Sequence, residues 1–336
     1  MIVVLLLFLN CPKTYATQGF AGGRTSTADK WEGLIGDGLP VPYKSRVDRI
    51  DPNRTDDKGV DRIDPNVLLN SRAQAQLQAR GTSRKTPSSG RFFGKILDRG
   101  QLRTYYLYIP KSYKLDRPMP LVLVFHGSGG SGRTIASVTD FNQLADEKGF
   151  IAVYPNGINH QWNSEDDVSF VVALIDHLMQ IRNIDSDRVY ATGFSSGGMF
   201  TQALACDLSD RIAAFASVAA TLPASLVPNC QPDNPVSLLA INGTGDHTVP
   251  YGGGRIGGLG RVILSVPKMI ELWRQLDSCT AEAQVKSSKR VKISRYSGCR
   301  GSSEVMAISV RNGGHRWPDG GGIDATRAIW KFFQRH

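Results

Sequence analysis

The run Gly193-Phe194-Ser195-Ser196-Gly197 places one serine between glycines two positions away on either side. A hydroxyl on a sharp strand-to-helix turn is presented for nucleophilic attack, and its strained backbone leaves no room for side chains at the flanking positions. The neighbours suit such a turn. Val189 to Thr192 favour a strand, whereas Met199 to Ala205 favour a helix. Ser196 is the poorer nucleophile, because Phe194 occupies the position where its preceding glycine would stand. The chemistry implied is acyl transfer through a covalent serine intermediate.

A serine hydroxyl attacks only when a base removes its proton and a third group orients that base. In one of the chain orders known for such triads, the acid follows the serine and the histidine comes last. The apolar run 238–241 leads into Asn242-Gly243-Thr244-Gly245-Asp246, which puts Asp246 just beyond a strand, where ligands bind in open α/β sheets. Of the six histidines, His126 and His160 precede the serine, His177 lies in a helical pattern, and His247 adjoins the candidate acid. His336 is terminal. His315 remains as the base, in a glycine-containing loop, Asn312-Gly313-Gly314-His315-Arg316-Trp317-Pro318. The oxyanion formed on attack needs backbone N–H donors already in place. The amide of Ser196 is one candidate. His126-Gly127-Ser128-Gly129-Gly130 follows an apolar run and supplies the second, with Ser128 as the donor and Gly127 supporting the turn. A phosphate-binding loop is the other reading of those glycines, but no Lys-Ser/Thr pair follows them. This chemistry calls for no cofactor. The cysteine and histidine spacings do not suit a metal ion.

The elements that must hold these residues can be read from hydrophobic patterning. Strands are expected at 103–109, 121–125, 150–154, 189–192, 213–218, 237–241, 291–296 and 305–310. Helices are expected at 168–181, 199–205, from a Ser265 cap through Leu276, and at 323–333. Continuous apolar runs such as 121–125 suit strands buried on both faces. Strands alternating with helices imply an α/β fold with a mostly parallel central sheet covered on both sides.

The chain has 336 residues and a formal net charge of +10. That charge is spread along the sequence without a compact basic block and interleaved aromatics, so nucleic acid is not an expected partner. Residues 1–16 carry a short apolar run followed by Thr14-Tyr15-Ala16 and read as a cleaved signal peptide, leaving no stable membrane span. Residues 17–90 are polar, lack periodicity and hold two copies of Val-Asp-Arg-Ile-Asp-Pro-Asn (47–53 and 60–66). They read as a disordered spacer ahead of a catalytic domain at 91–336. Beyond the signal segment lie Cys206, Cys230, Cys279 and Cys299, an even number that behind a secretory signal suggests two disulfides. Three pairings are open; the local one closes two modest loops, each worth roughly 3 kcal/mol.

Several further motifs join these: Leu144-Ala145-Asp146 with Gly149-Phe150, Tyr154-Pro155-Asn156-Gly157, Trp162-Asn163, Asp166-Asp167-Val168 and Val249-Pro250-Tyr251. With the elbow, Gly245-Asp246 and Gly314-His315-Arg316-Trp317-Pro318, residues 91–336 resemble the secreted esterases that include single-domain polyhydroxybutyrate depolymerases and feruloyl or acetylxylan esterases. The resemblance implies the α/β-hydrolase fold, with Ser195, Asp246 and His315 as nucleophile, acid and base. It also implies the pairings Cys206–Cys230 and Cys279–Cys299. The substrate expected is an ester. The sequence has no segment after the closing helix to serve as a polymer-binding module, which favours soluble hydroxyalkanoate oligomers or plant-wall acyl esters over crystalline polyester. Arg316 stands where the family has a small or hydroxylated residue, which suits an acidic product. Trp162 and Trp317 are candidates to line an acyl or aromatic pocket, with core packing as the other reading. A peptidase on the same fold and a non-catalytic wall-binding protein are the alternatives.

Overall fold

Residues 119–125, 151–155, 214–218 and 237–243 are buried along their whole length, as strands covered on both faces must be. A computed structural model describes residues 89–257, 260–320 and 322–336. The expected signal peptide, and the spacer as far as residue 88, lie outside the described residues. One ten-stranded sheet organises the rest. Its strands are β1 (Gly90–Asp98), β2 (Gln101–Ile109), β3 (Met119–Phe125), β4 (Ile151–Pro155), β5 (Ile184–Phe194), β6 (Ala214–Val218) and β7 (Ser237–Gly243). A small hairpin, β8 (Gly254–Ile256) and β9 (Arg261–Ile263), stands apart. The large sheet is completed by β10 (Gln284–Ser287), β11 (Val291–Tyr296) and β12 (Val305–Val310). Spatial order is β1-β2-β4-β3-β5-β6-β7-β12-β11-β10. Every pairing from β4 through β12 is parallel. The two ends, β1-β2-β4 and β12-β11-β10, run antiparallel.

Alternate residues of each central strand enter opposite cores, the period-two consequence of a pleated backbone. Leu121, Leu123 and Phe125 pack with α3 (Ser164–Ile181), α4 (Ser196–Asp207) and α5 (Val266–Leu276). Val122 and Val124 face the other way, toward α1 (Gly132–Thr139), α2 (Phe141–Lys148) and α6 (Ala325–Phe333). This is the α/β-hydrolase architecture.

The helix starts follow their caps. Asn163 accepts from the Glu165 amide at 3.0 Å, so α3 begins at Ser164 rather than at 168, with Glu165, Asp166 and Asp167 in its positive first turn. Asp324 caps α6, which therefore starts at 325 rather than 323. Ser265 caps α5 as expected. Strands β1 and β10 and helices α1 and α2 have no counterpart among the sequence expectations. Both locally paired disulfides are present: Cys206–Cys230 ties the end of α4 to the turn before β7, and Cys279–Cys299 ties the segment after α5 to the end of β11.

Candidate active site

Strand β5 ends at Phe194 and α4 begins at Ser196, which leaves Ser195 alone at the elbow. Its backbone takes φ 55° and ψ −121°, a conformation costly for a residue with a Cβ. The surroundings hold it there. The Ser195 amide donates to Val218 O at the end of β6, at 2.9 Å. A Cβ on Gly193 would come within 2.3 Å of Gly197 O, and one on Gly197 within 2.4 Å of both Phe125 O and His126 O. Close backbone contact on all sides explains why the elbow demands glycine at both flanks.

His315 Nε2 lies 2.9 Å from Ser195 Oγ, and His315 Nδ1 lies 2.8 Å from Asp246 Oδ2. Because a carboxylate oxygen only accepts, Nδ1 carries the proton and Nε2 faces the serine as an acceptor. Asp246 is 5% exposed, and its other oxygen accepts from the amides of Thr248 and Val249, both at 2.8 Å. The two loops are pinned to each other: Thr244 N to Val310 O and Gly245 N to Gly313 O, both 2.9 Å, and Asn312 N to Thr244 Oγ1, also 2.9 Å. Parallel pairing of β7 with β12 brings both loops to the same end of the sheet. The structure thus brings Ser195, His315 and Asp246, 120 and 69 residues apart across the two contacts, into one hydrogen-bonded chain.

Beside the serine, the Ser196 amide belongs to the first turn of α4, where N–H groups have no partner within the helix. The 126–130 loop lies against the elbow. A Cβ on Gly127 would come 3.1 Å from the Phe194 ring and 3.4 Å from Ser195 Cβ. Two of the loop's amides are engaged: Gly129 N donates to His160 O at 2.9 Å and Gly130 N to Gly127 O at 3.0 Å. Neither of these engaged amides is that of Gly127 or Ser128, and the Ser128 hydroxyl donates to Gln161 Oε1.

What holds this loop was not read from the sequence. His126 sits beneath it, 1% exposed. Its Nδ1 lies 2.8 Å from Gly127 O, and its Nε2 accepts from Gly157 N at 3.0 Å. Those partners fix the neutral tautomer, and burial lowers the His126 pKa below its ordinary value in keeping with it. Asn156 ties the same segment down through Gly132 N at 2.7 Å and Thr104 Oγ1 at 2.9 Å. Beneath it, the buried Arg103 guanidinium pairs with Asp167 and lies over the Phe170 ring, 3.9 Å from its centroid. Asp167 also accepts from Asn163 N at 2.7 Å. The Tyr154-Pro155-Asn156-Gly157 and Trp162-Asn163 motifs were the visible signal, but nothing in their spacing tells that they buttress a loop 30 residues earlier.

The two tryptophans take packing roles. Trp162 stacks on Phe200 at 5.0 Å and 3°, meets Phe125 edge-on, and donates to His126 O at 2.8 Å. Trp317 is 5% exposed, packs against Phe141, and donates to Thr326 Oγ1 at 2.9 Å. Trp317 therefore follows the core-packing reading, whereas Trp162 is half-buried, with one face stacked on Phe200. Both N–H groups are already satisfied within the protein.

A sequence model described as "Esterase PHB depolymerase" matches residues 103–224, which hold β2, the 126–130 loop and the elbow. The putative esterase NocK of Nocardia uniformis subsp. tsuyamanensis is 29% identical over 258 residues, covering 67% of this chain and 74% of that protein. Feruloyl esterase D of Neurospora crassa is 27% identical over 278 residues, covering 74% and 90% respectively. In sequence this chain is similar to these esterases, and its fold is that of the α/β hydrolases. The esterase shares its fold with an acetyl xylan esterase from Aspergillus awamori, at a TM-score of 0.55 and 14% identity over 73% of this chain and all of that one. It is a carboxylic-ester hydrolase. No helix among its described residues is long and apolar enough to cross a membrane.

Proposed function

We propose that this protein is a secreted serine esterase that cleaves hydroxyalkanoate oligomers or plant-wall acyl esters through an acyl-enzyme. The observation that carries the reading is the Ser195–His315–Asp246 chain, with contacts of 2.9 and 2.8 Å. Ser195 Oγ attacks the ester carbonyl carbon while its proton passes to His315 Nε2. The tetrahedral oxyanion is held by the amides of Ser196 and Ser128. Collapse expels the alcohol, which takes the proton from His315, and leaves an acyl group on Ser195. Water then attacks, giving its proton to His315. Release of the acid returns that proton to Ser195. Asp246 holds the imidazole in the required tautomer and stabilises it while charged.

Two disulfides support secretion, since such bonds persist in oxidising compartments. The feruloyl esterase relative supports an acyl ester of a wall polymer, and the depolymerase family match supports a hydroxyacid ester. The expected test result is stoichiometric labelling of Ser195 by a fluorophosphonate, with turnover of p-nitrophenyl acetate lost by at least about 10⁴-fold in Ser195→Ala. A folded protein that is not labelled overturns the reading. Rates on methyl ferulate, acetylated xylan and hydroxybutyrate trimer, measured together, separate the substrate classes, and aminoacyl nitroanilides test for a peptidase.

A further inference from the structure

A groove of about 620 Å³ adjoins the histidine loop, lined by Gly243, Lys289, Arg290, Arg311, Gly313, Gly314 and Arg316 among others. Its size falls within the range of about 300–1,000 Å³ of sites that bind small ligands. Lys289 and Arg290 occupy the turn between β10 and β11, Arg311 follows β12, and Arg316 follows His315 directly. All four cations are exposed. The Arg311 amide donates to Arg290 O at 2.8 Å, which locks two of the cationic positions together. The floor is close-packed: a Cβ on Gly243 would come within 2.1 Å of Gly313 O.

Elsewhere on the surface, Arg188, Arg211, Arg274 and Arg327 each meet a carboxylate. Among the described residues, none of the four groove cations has such a partner, and Asp319 is the one carboxylate among the lining residues. Like charges gathered without counter-charges raise a local positive potential, which favours an anionic ligand. The lining residues include no aromatic side chain. A neutral sugar or an aromatic acid would therefore find nothing to stack on, and single-stranded nucleic acid would lack the stacking platform it commonly uses. A chain of carboxylates spaced along a hydrophilic backbone needs charge and hydrogen bonds alone.

We propose that this groove docks the uronate carboxylates of an acidic polysaccharide while an ester on the same polymer reaches Ser195. The proposal rests on the esterase reading for the second half of that statement only. The wall shared with the His315 loop places the docked chain beside the triad, so grip on the polymer lowers KM without touching the chemistry.

The test uses the full-length protein and separates docking from catalysis. Binding of a size-defined, unesterified oligogalacturonate to Ser195→Ala is measured by calorimetry, with and without Lys289→Ala/Arg290→Ala/Arg311→Ala. The triple substitution is expected to weaken binding at least tenfold, and rising salt to weaken the parent in parallel. In the Ser195 background, the triple variant is expected to keep its p-nitrophenyl acetate kinetics while KM for an acetylated oligogalacturonate rises about tenfold. Arg290→Lys/Arg311→Lys, which keeps the charge, retains binding and guards against a fold defect. Equal affinity with and without the three cations overturns the proposal. So does an oligodeoxynucleotide of matched length that binds as tightly. Oligogalacturonate binding by a protein that turns over no ester leaves the docking groove intact and strikes the esterase reading alone.

Discussion

Asp246 meets His315 with one carboxylate oxygen and its own loop with the other. Its Oδ1 accepts from two backbone amides, Thr248 and Val249, so that position must remain an oxygen. In Asp246→Asn, the amide nitrogen is therefore forced toward His315. An N–H there donates to Nδ1, which moves the imidazole proton to Nε2 and points it at Ser195. The base is then in the wrong tautomer although the geometry is kept. The expected outcome is a fall in kcat of about 10⁴ with KM little changed, the size of effect such a tautomer error produces in serine proteases. Steady-state kinetics on p-nitrophenyl acetate, with a thermal melt to show the fold unchanged, checks this. A variant that retains a tenth of the parent kcat would remove Asp246 from the orienting role. That Ser195, His315 and Asp246 meet was legible in the sequence, because such chemistry restricts each position to few residue types. The support beneath the oxyanion loop was not. His126 reads as one more histidine near a glycine run, and only folding shows its imidazole bonded to Gly157 across 31 residues.

At the scale of elements, the elbow joins β5 to α4 so tightly that backbone meets backbone. A methyl group on Gly193 would lie 2.3 Å from Gly197 O and 2.4 Å from Gly197 C, neither of which can swing aside as a flexible side chain could. Gly193→Ala is therefore expected to lower stability by about 1–3 kcal/mol, the cost of overpacking a close-packed site. Activity should fall further than stability alone explains, because relief of the clash moves Ser195 away from His315. Urea denaturation and the fluorophosphonate labelling rate measure the two effects separately, and a variant with parent values for both would contradict the packing argument. The central strands were legible because burial on both faces writes a continuous apolar run, as in 121–125 and 237–241. Strand β1 was not, because Phe93 and Leu97, 71% and 67% exposed, occupy its outward positions and erase the polar half of the alternation. Helices α1 and α2 are eight residues each, joined at Asp140 in the left-handed region. Two turns of helix are too short for a period of 3.6 to declare itself.

Across the whole molecule, Asp277 is a joint between parts distant in sequence. It ends α5, accepts from Val236 N ahead of β7 at 2.9 Å, and receives Arg300 N on its backbone carbonyl at 2.8 Å, next to the Cys279–Cys299 bridge. Its side chain is fully buried, and that burial pushes its carboxyl up to about 6 from an ordinary 3.8. The folded state thus holds a proton that the unfolded chain has released between about pH 4 and 6. Stability therefore declines as pH rises through that window, by up to about 3 kcal/mol, and the loss is complete above it. The buried His126, whose pKa is lowered, acts in the opposite sense: it favours the fold when neutral and weakens it as pH falls. The profile of the parent sums these trends with those of other groups, among them Asp207, whose carboxyl is also pushed up to about 6 by desolvation, so the contribution of Asp277 is read as a difference. Asp277→Asn keeps an acceptor for Val236 N and removes the ionisation. Relative to the parent, the variant is expected to gain stability steadily from pH 4 to 6 and to hold that gain at pH 7, as urea unfolding at each pH would show. A stability difference that stays flat across this range would mean that the Asp277 carboxyl titrates alike in the folded and unfolded chains, and that its burial carries no electrostatic cost.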